Sequence, residues 1–361
     1  MLLLNAHSVE KNSRRNRWAI AVGLGCSLLV SSSIKSQDLH FSQWFNAPLM
    51  TNPANTGFIP DADYRLGANY RKQWTAVSIS PYNTFSIWGD AQLFRDKIGS
   101  GWVGLGGLLL RDVAGTGSLT STKAYASLAY HQMIGVAHLL SFGMNAGWAN
   151  KWINTAKLTF PDQYDAVQFI FDGNLPTAAL GNYFTPSINY VDIQAGLNYA
   201  FFPSPKIYVN GGLSAWHLNQ PRESFFSDAS GNDNQRIPPR YSAFANGSFK
   251  VAPNVILNTM AYWSSQTRAY EIVAGGSLQY NLSKYGDKQV IFGAFTRWGE
   301  SLIPMVGFEM QNIRLSFTYD ANLSSLNFNN PFRGAYEFAL LHSGFYPSSA
   351  VRQTLCPSFR R

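Results

Sequence analysis

From Tyr64 onward, apolar and polar residues alternate in segments of roughly ten positions, separated by Gly, Pro, Asn, Asp and Ser. A two-residue period places successive side chains on opposite faces of an extended chain. Ile313, Leu315, Phe317 and Tyr319 then share one face, and Arg314, Ser316, Thr318 and Asp320 the other. Leu66, Ala68, Tyr70 and Trp74 are opposed in the same way by Arg65, Asn69, Arg71 and Gln73. Tyr270, Ile272, Ala274, Leu278 and Tyr280 oppose Glu271, Ser277, Gln279 and Asn281. The pattern predicts fourteen strands, give or take two, over 65–74, 84–93, 101–111, 121–131, 138–149, 191–200, 206–216, 241–250, 254–263, 270–281, 289–298, 302–310, 312–321 and 335–346.

An even set of such strands, each with one apolar face, points to an all-β fold: a transmembrane outer-membrane β-barrel of about fourteen antiparallel strands. Closure is required because an open sheet edge would leave backbone groups unpaired in hydrocarbon. Trp74, Trp88, Trp102, Trp148, Trp152, Trp216, Trp263 and Trp298 fall near segment ends and are expected in the interfacial girdles. Glycines within segments, such as Gly104, Gly106, Gly107, Gly211, Gly212, Gly275 and Gly276, suit curved sheets and close approach by other backbone. The alternative architecture is a soluble sandwich or large periplasmic β-domain whose apolar faces meet across a core. Under the barrel reading, Arg65, Arg71, Lys72, Asp90 and Glu271 belong in the lumen or near the rims. A basic residue facing lipid at the midplane costs roughly 2–4 kcal/mol.

Three stretches break the rhythm: 37–60, 154–190 and 218–240. The last two are too long for plain hairpin turns, and recognition or plugging is expected there. Asn52-Pro53-Ala54-Asn55 suits a fixed non-strand turn tucked into a barrel mouth. The N-terminal segment is therefore a candidate plug, although alternation alone leaves an open, plugged or side-chain-filled lumen equally admissible.

Composition narrows the class. Aromatic residues make up 15% of the 361 positions and charged residues only 13%, about half the charged share usual in soluble proteins. No window after residue 35 approaches the roughly 18 apolar residues of a membrane-spanning helix. At the start, Arg14, Arg15 and Arg17 precede an apolar run from Trp18 to Val30 and then small residues, the pattern of a signal peptide. Cleavage is expected near Ser36 and Gln37. The expected divisions are a signal peptide at 1–36, an N-terminal segment at 37–63, a barrel at 64–346 and a tail at 347–361. Cys26 lies inside the apolar run, but Gly23-Leu24-Gly25 matches a lipidation signal poorly. With Cys26 removed, Cys356 stands alone and no internal disulfide can form. Residues 1–36 carry five basic residues and Glu10, so their removal lowers the net charge from +8 to +4, and a nucleic-acid partner loses its main support.

No constellation for catalysis or a cofactor emerges. His7, His40, His131, His138, His217 and His342 are scattered, without metal-ligand spacing. No Gly-x-Ser-x-Gly elbow is present. Gly104-Leu105-Gly106-Gly107 lacks the following helix and Lys-Ser/Thr of a phosphate loop. Asp228 to Asn234 lacks the acidic spacing of a calcium loop and reads as a wet hairpin tip. The chain is not expected to be an enzyme. His217, Asn219, Pro221 and Arg222 leave a strand for a long loop, and Arg240 and Tyr241 stand at its return. These six are candidate partner-contact or loop-fixing residues, with loop fixing weighed first.

Seven blocks resemble one family. Gln37-Asp38-Leu39-His40-Phe41-Ser42-Gln43, followed by Pro48 and Asn52-Pro53-Ala54-Asn55-Thr56-Gly57, looks like the mature start of the PorP/SprF outer-membrane proteins of Bacteroidetes. Tyr70-Arg71-Lys72-Gln73-Trp74 with Pro81-Tyr82-Asn83-Thr84, and Gly106 to Gly117 with its Arg111-Asp112-Val113-Ala114-Gly115 turn, are similar to that family's first hairpins. Phe160-Pro161-Asp162-Gln163-Tyr164 and Leu175-Pro176-Thr177 resemble its middle loop. The most specific block is Gly212-Leu213-Ser214-Ala215-Trp216-His217-Leu218-Asn219-Gln220-Pro221-Arg222-Glu223-Ser224-Phe225-Phe226, with Pro239-Arg240-Tyr241 after it, and Cys356-Pro357-Ser358-Phe359 fits the ending. The resemblance implies an outer-membrane barrel associated with type IX secretion and gliding motility. Its expected partners are outer-membrane lipid and either secretion components or a large adhesin-type secreted protein with a C-terminal sorting domain. No catalytic residues come with it. The other functional reading is a FadL-like channel for hydrophobic small molecules, which shares the strand number and an Asn-Pro-Ala near the mature start.

Overall fold

Each alternating segment becomes a strand: β1 (Tyr64–Gln73), β2 (Tyr82–Leu93), β3 (Gly101–Ala114), β4 (Leu119–Ile134), β5 (His138–Trp152), β6 (Ser187–Ser204), β7 (Ile207–Trp216), β8 (Arg240–Ala252), β9 (Val255–Gln266), β10 (Ala269–Asn281), β11 (Lys288–Arg297), β12 (Ser301–Met310), β13 (Ile313–Asn322) and β14 (Ala335–Gly344). These fourteen strands pair in chain order as a closed barrel. The seam is an antiparallel ladder of β1 and β14, from Tyr64 opposite Gly344 to Gln73 opposite Ala335. The computed structural model describes residues 41–73, 82–95, 97–173, 175–181, 183–227, 235–283, 287–323 and 334–347. The expected signal peptide with Cys26, the Gln37–His40 start, Trp74, Pro81, the Asp228–Asn234 tip and residues 348–361 with Cys356 lie outside the described residues.

The alternation resolves with its apolar face outward. On β13, Leu315 is 53% exposed while Ser316 and Thr318 are buried; on β10, Tyr270 and Ile272 face out and Glu271 faces in. Such an inverted surface is at home in lipid and is the opposite of a sandwich that buries its apolar faces. Arg71, Asp90 and Glu271 are buried in the lumen, where the cost of facing lipid is avoided. Several strands exceed the expected ten residues, the longest being the 18-residue β6. They extend beyond the length needed to cross hydrocarbon and carry the loops. Three girdle assignments are corrected. Trp88, Trp102 and Trp216 are buried inside the barrel, whereas Trp148, Trp152, Trp263 and Trp298 are exposed. The reason is parity: Trp88 shares its face with Ser86 and Asp90, all three buried.

Connections alternate between two ends. One end carries 74–81, 115–118, 153–186, 217–239, 267–268, 298–300 and 323–334. The other carries shorter turns together with the start of β1 and the end of β14. Outer-membrane barrels keep short turns on the periplasmic side and longer loops outside, which makes the long-loop end the outer one.

Residues 41–59 of the N-terminal segment run through the lumen as a plug. It consists of a 3₁₀ turn at Trp44–Asn46, one helical turn, α1 (Pro48–Thr51), and a second 3₁₀ turn at Pro53–Asn55. Pro48 and Pro53 open their turns, positions where a fixed φ helps and a missing N–H costs nothing. The plug passes lengthwise, from Ser42 beside Arg71 and Arg297 at the long-loop end to Gly57 beside Asp90 toward the other. Wall glycines make room for it: a Cβ on Gly143 would collide with the Pro53 carbonyl, and one on Gly196 with the Asn52 side chain.

Gly143→Val and Gly196→Val should each destabilise the barrel by about 1–3 kcal/mol through overpacking. Gly173→Ala, with no atom within 4 Å of the added Cβ, should leave it unchanged. The midpoint of the heat-induced shift in gel mobility checks this.

Candidate functional site

The plug is seated by wall side chains at three levels. At the long-loop end, the backbone N–H groups of Ser42 and Gln43 donate to the Glu337 carboxylate at 2.8 and 3.0 Å. The Ser42 hydroxyl donates to Asp320 at 2.7 Å and accepts from the guanidinium groups of Arg71 and Arg297. Arg71 also reaches Asp320 at 2.8 Å and Glu337 at 3.3 Å. Arg297 reaches Glu271 at 2.9 Å, Asp320 at 3.1 Å and Glu300 at 3.2 Å. Beneath them the Gln43 amide donates to Thr318 at 3.2 Å and accepts from Ser316 at 2.6 Å.

At mid-height, the Asn52 side-chain N–H group donates to two wall carbonyls, Leu197 at 2.9 Å and Leu213 at 3.0 Å. Asn52 gets that close because its wall neighbours are Gly196 and Gly212. Farther down, the Gly57 N–H donates to Asp90 at 2.7 Å, and Asp90 holds Arg65, which donates to the Asn55 carbonyl at 3.1 Å. The Trp102 indole donates to the Gly57 carbonyl at 2.9 Å. His131 stacks on Trp102 at 4.9 Å, with its ring nitrogens 2.7 Å from the Thr56 carbonyl and 2.7 Å from the Ser141 hydroxyl. A carbonyl only accepts, so Nε2 carries the proton toward Thr56 and Nδ1 accepts from Ser141. These contacts occupy backbone and side-chain polar groups that would otherwise be stranded inside the barrel.

The six residues singled out in the sequence divide between interior and surface. His217 is buried, in the left-handed region at φ 57, with Nδ1 2.9 Å from Asp192. Tyr125 donates to the same carboxylate at 2.7 Å. Asn219 bridges the β6 backbone, donating to the Val191 carbonyl at 2.6 Å and accepting from the Ile193 N–H at 3.2 Å. Pro221 is buried and its carbonyl accepts from the Ile237 N–H at 3.0 Å. Arg240 is buried, its guanidinium 4.7 Å from the Trp216 ring centre and 3.3 Å from the Tyr262 hydroxyl. Arg222 and Tyr241 are exposed. The structure thus brings His217, Asn219 and Pro221 into the bonding of one rim turn, while Tyr241 lies on the outward face of β8. The Ser42, Arg71, Arg297, Asp320 and Glu337 cluster was not singled out by sequence. Its one visible signal was that Arg71 and Asp320 sit on polar faces.

The two long loops join each other above the rim. The Thr185 N–H donates to the Phe225 carbonyl at 2.8 Å, Phe184 packs on Phe226 with ring centres 5.3 Å apart, and Lys151 pairs with Glu223. Within loop 153–186, Asp162 accepts from the Ala178 N–H at 2.7 Å and the Thr177 hydroxyl at 2.9 Å. These bonds, the backbone N–H first, hold its carboxyl below the usual value. Among the described residues, no group of three His, Cys, Asp or Glu is placed to hold a metal ion.

A family model described as the type IX secretion system membrane protein PorP/SprF matches residues 33–341. The chain belongs to the PorP/SprF family. As a PorP/SprF protein with a closed barrel, it is an outer-membrane protein of the type IX secretion pathway. No curated protein matches it. Among solved structures, the Ralstonia pickettii toluene transporter TbuX is similar at 11% identity and a TM-score of 0.49, covering 83% of this chain and 94% of that one. The P. putida toluene transporter TodX gives 11% identity and 0.48, covering 83% and 94%. A Pseudomonas aeruginosa FadL homologue gives 9% and 0.46, covering 81% and 92%.

Removing one member of a buried ion cluster leaves its partners uncompensated. Arg297→Ala should therefore destabilise this PorP/SprF barrel by about 3–5 kcal/mol and open the plug near Ser42 to protease, read by denaturant unfolding and limited proteolysis. For Asp162 the folded-state carboxyl titrates below its reference value of 3.8. Its contribution to loop order is present above that value and lost as pH falls through the lowered folded one. Exchange of the Ala178 amide, corrected for its intrinsic rate, should accelerate only in that acid range, and Asp162→Asn should show faster exchange already at neutral pH.

Proposed function

We propose that this barrel works by holding and positioning an exported partner at the cell surface, or by supporting that partner's passage. It would reach the outer membrane through a signal peptide in residues 1–36. The observation that carries the reading is the occupied lumen. The chain's own residues 41–59 run through it, tied to strands from β1 to β14, and among the described residues two long loops join above the outer rim. A large adhesin-type protein with a C-terminal sorting domain is the partner class that suits a dedicated surface anchor of this family. The exposed Arg222 and Tyr241 are proposed as contact positions, and His217, Asn219, Pro221 and Arg240 as the residues that fix the rim beneath them. No catalytic role is assigned.

A second reading, a channel for hydrophobic small molecules, draws on a cavity of about 180 Å³ beside the plug, lined in part by Trp44, Phe45, Phe58, Tyr208 and Phe244. The two readings part experimentally. The anchoring reading expects that deleting the gene removes a specific large protein from the surface or the secreted fraction, that the full chain restores it, and that the purified barrel moves no hydrocarbon into liposomes. An unchanged surface and secreted protein set in the deletion strain would sink it, and hydrocarbon uptake by the purified barrel would favour the channel.

A further inference from the structure

Loop 153–186 carries an apolar tip in an acidic setting. Tyr164–Asp165 pairs with Ile170–Phe171 as a two-residue antiparallel hairpin. Its tip leaves Val167 87% exposed and Phe169 77% exposed, with Ile170 and Phe171 more than half exposed. Phe169 has φ 57, in the left-handed region that a bulky side chain rarely adopts. Local bonding sets this shape: the Asp165 carboxylate accepts from the Val167 N–H at 2.8 Å and the Gln168 N–H at 3.2 Å. The tip stands on the loop after β5, at the end where the long connections gather. Exposed apolar patches of this kind mark interaction sites.

The charge around the tip selects the occupant. Between Lys157 and Lys206 the sequence contains no Lys or Arg, whereas Asp165 belongs to the hairpin and Asp162 and Asp172 flank it along the chain. An anionic lipid surface attracts basic segments and repels such a group. A protein surface with an apolar pocket bordered by Lys and Arg complements it in both respects. We propose that the 164–171 hairpin is the docking element for the exported partner, and that the partner presents an apolar pocket with a basic border. This rests on the anchoring reading above and adds to it which segment binds and what chemistry it meets.

The test uses the full chain in its own cells. A photo-crosslinking residue at position 169 should join the barrel to one surface protein. Display of that same protein should fall about tenfold or more in Phe169→Ser/Ile170→Ser, the effect of losing a buried apolar anchor, while the amount and heat-modifiable mobility of the barrel stay unchanged. Gln168→Lys, which keeps the backbone bonds to Asp165 but places a cation at the tip, should lower display, and Gln168→Glu should not. Crosslinking to lipid alone, or full display in both the double variant and Gln168→Lys, overturns the docking proposal. Gene deletion separates the two levels. If deletion abolishes display and the tip variants do not, only the docking element is wrong; if deletion changes nothing, the anchoring reading itself fails.

Discussion

Hydrocarbon offers no partner for a backbone N–H or C=O, and the β1 to β14 ladder answers that constraint by leaving the sheet without an edge. Much else follows from it. A closed sheet immersed in lipid must turn its apolar face outward, as Leu315 and Ile272 do. The alternate positions, Ser316, Thr318, Asp320 and Glu271 among them, then point inward. The lumen is polar along these strands, and elsewhere its wall turns Val273, Ile291, Phe295 and Ile303 inward in the buried cluster that includes Trp44 of the plug.

A polar lumen can be satisfied by water, by wall side chains, or by a segment of chain carrying complementary groups. This protein uses the third. Its plug is built of one-turn elements opened by Pro48 and Pro53, too short to satisfy their own backbone groups, so the wall completes them. Glu337 takes two consecutive plug amides, Asp90 takes the Gly57 amide, and Trp102 donates to the Gly57 carbonyl. Asn52 does the converse, supplying N–H groups to wall carbonyls that bare glycines leave within reach. Several buried charges sit in clusters where Arg meets carboxylate, as Arg65 meets Asp90 and Arg71 meets Asp320, because an unpaired one would carry several kcal/mol of desolvation.

The strands were legible because their signal is local: a period of two, read over ten residues, marks both existence and facing. Trp88 faces inward because parity with Ser86 and Asp90, not position along its segment, decides which face a strand residue joins. The seat of the plug was hidden for a different reason. Ser42 and Glu337 are separated by most of the chain, and nothing local to either announces the other. His217 was visible as a polar residue leaving a strand, but Asp192, which holds it, is one of many inward polar residues. The docking hairpin was concealed by shortness: Ile170-Phe171 pairs with Tyr164-Asp165 over two residues, below the length at which periodicity means anything.

The position of Ser42 joins the two halves of this account. Its backbone and hydroxyl reach Arg71 on β1, Glu337 on β14, Asp320 on β13 and Arg297 on β11. The first and last strands therefore meet beside Ser42 of the plug. Arg71 and Glu337 also face each other in the register of the seam, and Arg71 spans the two at 3.3 Å. Plug seating and barrel closure share these side chains, so a change that unseats the plug there also removes charge pairing from the seam. Because Glu300, at the outer end of the same cluster, has a half-exposed side chain, the coupling extends from the closure seam to the surface at the long-loop rim.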